Sequence, residues 1–165
     1  TYSPFVAMHF ATSNTEKFDT DGVIWKVDFV KVNQLIPEPL SALLSLEKCN
    51  AFTVEMLESE FLSLQKFDEK IGPGNVLFFE PPSLDERIVN QFAFFSIMTN
   101  PTAILDDWLV KHPGLFRRII IPAELKWEVR DKLDQANITE RVLFPGLDGL
   151  ASWLKRHYQP KFTEE

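Results

Sequence analysis

Proline and glycine punctuation cuts this chain into short apolar runs, and that restricts the folds open to it more than any other feature. Gly72-Pro73-Gly74, Pro81-Pro82, Asn100-Pro101, Pro122 and Phe144-Pro145 each stop or start an element. Proline lacks the N–H that a helix interior or a ladder needs, and glycine releases the chain into turns. Four of the runs predict strands: 23–29, 76–79, 92–98 and 117–121. In the first, Val23, Trp25, Val27 and Phe29 share one side, with Lys26 and Asp28 on the other. We expect all four in a single central mixed β-sheet flanked by helices, with Trp25 and Phe94 in the core.

The stretches between these runs read as helices. Ser3-Pro4 is an N-cap followed by proline at the first helical position, opening a helix to about Ser13. Thr20-Asp21-Gly22 is a turn signal, and 30–36 is a short helix ended before Pro37. Residues 40–46 do not decide between helix and other structure. Residues 52–67 carry an apolar stripe of Phe52, Met56, Leu57, Phe61 and Leu64 among glutamates, which predicts one helix. Ser83 caps a short helix bearing Asp85, Glu86 and Arg87. Further helices run from Asn100-Pro101 to about Val110 and from Pro122 to about Ala136, the latter with Leu125, Val129 and Leu133 on one face. A last helix reaches His157, and Leu147, Leu150, Ala151 and Leu154 form its apolar side. Helices and strands mix irregularly, which points to α+β rather than a doubly wound sheet. The 165 residues fit one domain, 1–165.

The formal net charge of −7 disfavours generic nucleic-acid binding and anionic membranes, both of which select basic surfaces. Arg117, Arg118, Lys155, Arg156 and Lys161 read as solvated surface, although a local basic patch stays open. The one cysteine, Cys49, forms no internal disulfide and fits a reducing, cytoplasmic compartment. No apolar stretch approaches the roughly 20 residues of a membrane span. Thr1 to Phe5 read as the middle of a domain, so further native sequence is expected upstream.

The chemistry-bearing motifs are sparse. There is no Walker loop, GxGxxG, GxSxG or HExxH. Gly146 and Gly149 make a lone GxxG at a helix start, which reads as helix entry. His9, His112 and His157 have no ligand spacing, so no metal site is expected. Asp106 and Asp107, adjacent on a helix, point in different directions and read as surface acids. Four residues are candidates for a ligand site: Ser3, His9, Arg87 and Gln91. Ser3 either caps a helix only or presents its N-terminus to an anion or ribose. His9 is either packed or lines a cleft. Gln91, entering an apolar run, either bonds a loop backbone or holds a ligand with its amide. Arg87 either pairs with Glu86 or Glu80 or supplies charge to the same place.

Four segments resemble the FRG domain. Thr1-Tyr2-Ser3-Pro4-Phe5-Val6-Ala7-Met8-His9-Phe10-Ala11 looks like its T-x-S-P-x-x-A-x-x-F-A helix. Asp21-Gly22-Val23-Ile24-Trp25 resembles its D-G-x-[IV]-[WY] strand. Arg87-Ile88-Val89-Asn90-Gln91-Phe92-Ala93-Phe94-Phe95 resembles its R-[IV]-x-x-Q-x-[GA]-x-F segment. Leu143-Phe144-Pro145-Gly146-Leu147-Asp148-Gly149-Leu150 resembles its closing helix entry. The family's Phe-Arg-Gly and P-T-R-L-L-D-W elements would lie upstream of Thr1, so the resemblance implies the C-terminal part of such a domain. It further implies a bacterial or phage protein carrying a non-catalytic interaction or regulatory module, with another protein chain as partner. The alternative it implies is an ADP-ribosyltransferase-like, nucleotide-binding domain of a toxin or phage-defence protein. There NAD would be ligand or substrate, Ser3 would touch the ribose and Gln91 would take the late position. A glutamine at that position hydrogen-bonds a hydroxyl but is no general base.

Overall fold

The turn and cap signals set most element ends in the computed structural model, which describes residues 1–159. Ser3 caps α1 (Pro4–Ala11), its hydroxyl accepting from the Val6 N–H, and proline occupies the first turn. β1 (Gly22–Val27) follows the 20–22 turn. It is shorter than its apolar pattern suggests, because the Asp28 carboxylate accepts from the Lys31 N–H and opens α2 (Phe29–Val32). Residues 40–46, undecided from sequence, lie in α3 (Leu40–Glu47). The predicted helix over 52–67 is instead three elements: β2 (Phe52–Thr53), α4 (Val54–Glu60) and α5 (Leu64–Ile71). Thr53 and Ser63 cap the two helices, accepting from the Met56 and Lys66 N–H groups. Two hydroxyls that satisfy free helix N–H groups thus divide a stripe that reads as continuous.

Then come β3 (Val76–Glu80), α6 (Glu86–Asn90), β4 (Phe95–Met98), α7 (Leu105–Val110), β5 (Phe116–Ile121), α8 (Lys126–Gln135), α9 (Glu140–Leu143) and α10 (Leu147–His157). β4 begins three residues later than the apolar run, since Phe92 adopts a left-handed backbone with φ of 48°. α7 likewise starts late, at Leu105 rather than after Pro101.

The architecture is α+β, but the strands form two small sheets rather than the expected single central one. β1 pairs with β5, and β3 lies between β2 and β4. β2 runs parallel to β3, placing Phe52 opposite Phe79, and β4 runs antiparallel to it, with Val76 opposite Met98. The two-residue β2 takes the second edge of β3. Both edges of that strand are then in use, and neither is left for β1 or β5.

The chain divides into two compact units, Thr1–Ile24 with Ser83–Ala93 and Arg118 onward, and Trp25–Pro82 with Phe94–Arg117. The second unit is built on apolar packing. Ile36, Leu40, Leu44, Phe52, Phe67, Ile71 and Leu77 form one buried cluster. Val32, Val76 and Phe78 form another, with Phe29, Phe94 and Trp108 packed against it. Trp25 and Phe94, expected in the core, are only half-buried. Trp25 stacks at a tilt on Phe116 with ring centres 4.9 Å apart.

The first unit is different. Its buried positions include Val6, Leu133 and Leu143, but also His9, Thr12, Lys126, Arg130, Thr139, Glu140 and Arg156. Gly146, at φ of 104°, takes a backbone that L side chains rarely adopt and caps α10. Gly149 sits directly over the Phe144 and Glu140 carbonyls, where a side chain has no room. The lone GxxG is thus a helix entry, as its position in the sequence predicts.

Candidate functional site

All four candidate residues belong to the first unit. The Tyr2 N–H donates to the Phe92 carbonyl at 3.1 Å, so the segments bearing Ser3 and Gln91 run alongside one another. Their side chains, however, are spent locally. The Ser3 hydroxyl receives the Val6 N–H at 3.4 Å. The Gln91 amide donates to the Leu143 carbonyl at 2.9 Å, and the neighbouring Asn90 amide donates to Val142 at 2.9 Å. These two amides fasten the end of α6 to α9. Arg87 lays its guanidinium 4.8 Å over the Phe144 ring. It lines an open groove of about 430 Å³ with Asp85, Glu86, Phe144, Pro145 and Asp148. His9 is fully buried and joins a different set of residues.

That set is a buried ionic chain through α1, α8, α9 and α10. Arg130 Nη1 lies 2.8 Å from His9 Nδ1, and Nη2 lies 2.6 Å from Glu140 Oε1. A guanidinium has only donors, so His9 Nδ1 is the acceptor and the ring is neutral with its proton on Nε2. Arg156 donates to both Glu140 oxygens, at 2.7 and 2.9 Å, and forms a bidentate pair with Asp134 at 2.8 and 2.7 Å. Two guanidinium cations face two carboxylates, so the ionic charge balances.

Burial, reinforced by the Arg130 charge, pushes His9 down to about 4; the fields of Glu140 and the Ile138 carbonyl oppose this and lose. Burial alone would raise the Glu140 carboxyl, but the Arg156 hydrogen bonds and the Arg130 charge outweigh it and hold it below its ordinary range. Burial lowers Arg130. Burial also acts to lower Arg156, but its bonds to Glu140 and Asp134 prevail and raise it. Arg130 and His9 have no exposed surface, while the Asp134 end of the chain is partly open to solvent, so the centre of this network is internal structure.

The network also determines which way α10 faces. Its buried side runs through Gly149 and Arg156, with Trp153 half-buried between them. The apolar stripe expected to pack inward points out. Leu147 is 82% exposed, Leu150 41%, Leu154 39% and the following Tyr158 79%. Arg156, read from sequence as solvated surface, is buried. α1 has a related excess: it carries no charged residue, yet Tyr2, Phe5 and Phe10 on and beside it are exposed.

A second groove, in the other unit, is lined by Lys26, Asp28, Lys31, Gly114, Leu115 and Arg117, among others. It holds one member of the possible basic patch; Lys155 is exposed elsewhere, on α10, and Lys161 lies outside the described residues. Among the described residues no group of three His, Cys, Asp or Glu is placed to hold a metal ion. No helix among them is long and apolar enough to cross a membrane. No family model, curated protein or solved structure matches the chain.

Proposed function

We propose that this chain is a non-catalytic interaction module, FRG-like in its sequence segments, whose first unit docks another polypeptide through the outward face of α10. The observation that carries this reading is the orientation of that helix. Burying a leucine side chain is worth about 1.5–3 kcal/mol. Leaving Leu147 mostly uncovered and Leu150 and Leu154 each about two-fifths exposed therefore forgoes on the order of 3–4 kcal/mol, a large share of a typical domain's stability. A surface that gives up so much is explained when a partner covers it. The exposed aromatic residues of α1 support the same reading. The lone, unpaired Cys49 fits a reducing, cytoplasmic setting.

The test is in-cell photo-crosslinking from a benzoylphenylalanine placed at Leu150. A discrete higher-mass product is expected, lost when Leu154→Glu is added. A chain that yields no discrete product would remove the support for this reading. The alternative, an NAD-binding domain, has in its favour that the Ser3 and Gln91 segments run alongside one another. Against it, the Gln91 amide is already engaged with Leu143. Calorimetric titration with millimolar NAD is expected to give no heat. Saturable heat abolished by Gln91→Ala would restore that alternative.

A further inference from the structure

We infer that the polypeptide covering α10 is a second copy of this chain, paired antiparallel helix to helix about a two-fold axis near Ala151; the inference rests on the interaction-module reading above. A two-fold contact must be self-complementary, since each residue i that meets j is matched by j meeting i. The exposed face of α10 meets that condition. Ala151, exposed, lies at its middle, and a small side chain there lets two helix backbones come close. Crossing near Ala151 sets Leu147 of one copy against Leu154 of the second, with Leu150 of each closing over the centre.

The charges agree with this register. Asp148, in the first turn, and Lys155, two turns on, are both exposed beside the stripe. An antiparallel partner brings Asp148 of each copy to Lys155 of the other, whereas a parallel partner places the two Asp148–Lys155 flanks on opposite sides of the seam and pairs neither charge. Antiparallel helix dipoles favour the same arrangement. Tyr158 extends the apolar stripe at the far end of the helix, where it meets the region before Leu147 of the second copy. The inward face is already committed, because Arg156 is held by Asp134 and Glu140 and Gly149 is seated on α9. α10 therefore cannot roll its leucines inward without breaking those bonds, and the stripe remains available to a partner.

Sedimentation velocity on the purified full chain tests this. We expect a concentration-dependent dimer. Leu150→Glu should weaken it at least about a hundredfold, and Asp148→Lys about tenfold through a like-charge contact. The doubly swapped Asp148→Lys/Lys155→Asp chain should recover dimerisation, which no folding defect can mimic. A swap that fails to rescue, or a chain monomeric at every concentration, overturns the inference. The mass of the in-cell product from position 150 separates this from the broader reading. Twice the chain mass supports both. A different discrete mass keeps the interaction module and overturns the self-pairing. No product overturns both.

Discussion

Replacing Arg130 by alanine is expected to destabilise the first unit by about 3–5 kcal/mol, the cost of removing one partner from a buried ion pair. The guanidinium has no exposed surface and serves two acceptors, His9 Nδ1 and Glu140 Oε1. Its loss leaves the Glu140 carboxylate buried with Arg156 as its remaining cation, and the His9 ring without its donor. Arg130→Lys should lose roughly half as much, because a single ammonium keeps the charge but cannot reproduce the planar fork that spans both partners. Hydrogen exchange followed by urea denaturation gives the readout. Amides of α8 should lose protection strongly while those of Val76–Glu80 hold. Equal loss in both places, or a change below about 1 kcal/mol, would show that the network does not organise this unit.

Acid should begin to destabilise the chain above the pH at which ordinary carboxylates are protonated. His9 takes up its proton only near pH 4 when folded but near pH 6.5 when free. Between those values the unfolded state binds more protons, so stability falls as pH falls. The contribution is fully present above about pH 6.5 and is lost progressively down to about pH 4. A gap of that size is worth roughly 3 kcal/mol. Glu140, held below its ordinary range, adds a loss of the same sign at lower pH. The midpoint of thermal unfolding, followed from pH 7 to pH 4, should drop in the wild type. His9→Gln keeps an acceptor for Arg130 and does not titrate, so its profile should be flatter over the same range. Parallel profiles for the two chains would assign the acid sensitivity to other groups.

Much of the secondary structure is legible in the sequence because its signals are local. Ser3-Pro4, the 20–22 turn and Gly146 act within one turn of the chain, and each does what its residue type requires. The strands at 76–79 and 117–121 fall within one residue of β3 and β5. The sheet arrangement was not legible, since it depends on a two-residue strand, Phe52–Thr53, that no periodicity can reveal.

The ionic chain was missed for a physical reason. Arg130, Glu140 and Arg156 lie on three different helices and read singly as solvated charges. One signal was present: on α8 the buried face runs through Lys126, Arg130 and Leu133. The spacing of four and three marks a helical face, but the two cations on it hide that face from an apolar pattern. The same network explains why the apolar stripe on α10 faces outward rather than inward. Amphipathic periodicity says which face gains by burial, not which face is held in place by a bidentate carboxylate.

An interior held by ions carries a thermal signature of its own. Exposing apolar surface raises heat capacity and exposing polar surface lowers it. The first unit, which buries Arg130, Glu140 and Arg156 beside Val6, Leu133 and Leu143, is therefore expected to have a smaller heat capacity of unfolding for its size than a purely apolar core gives. Its stability changes gently with temperature, and the cost of keeping its charges dry falls on warming. The second unit, packed on Phe52, Phe67, Leu77 and their neighbours, is expected to have the steeper curve and to weaken on cooling. One chain is thus expected to join a unit that tolerates cold to one whose cohesion fades in it.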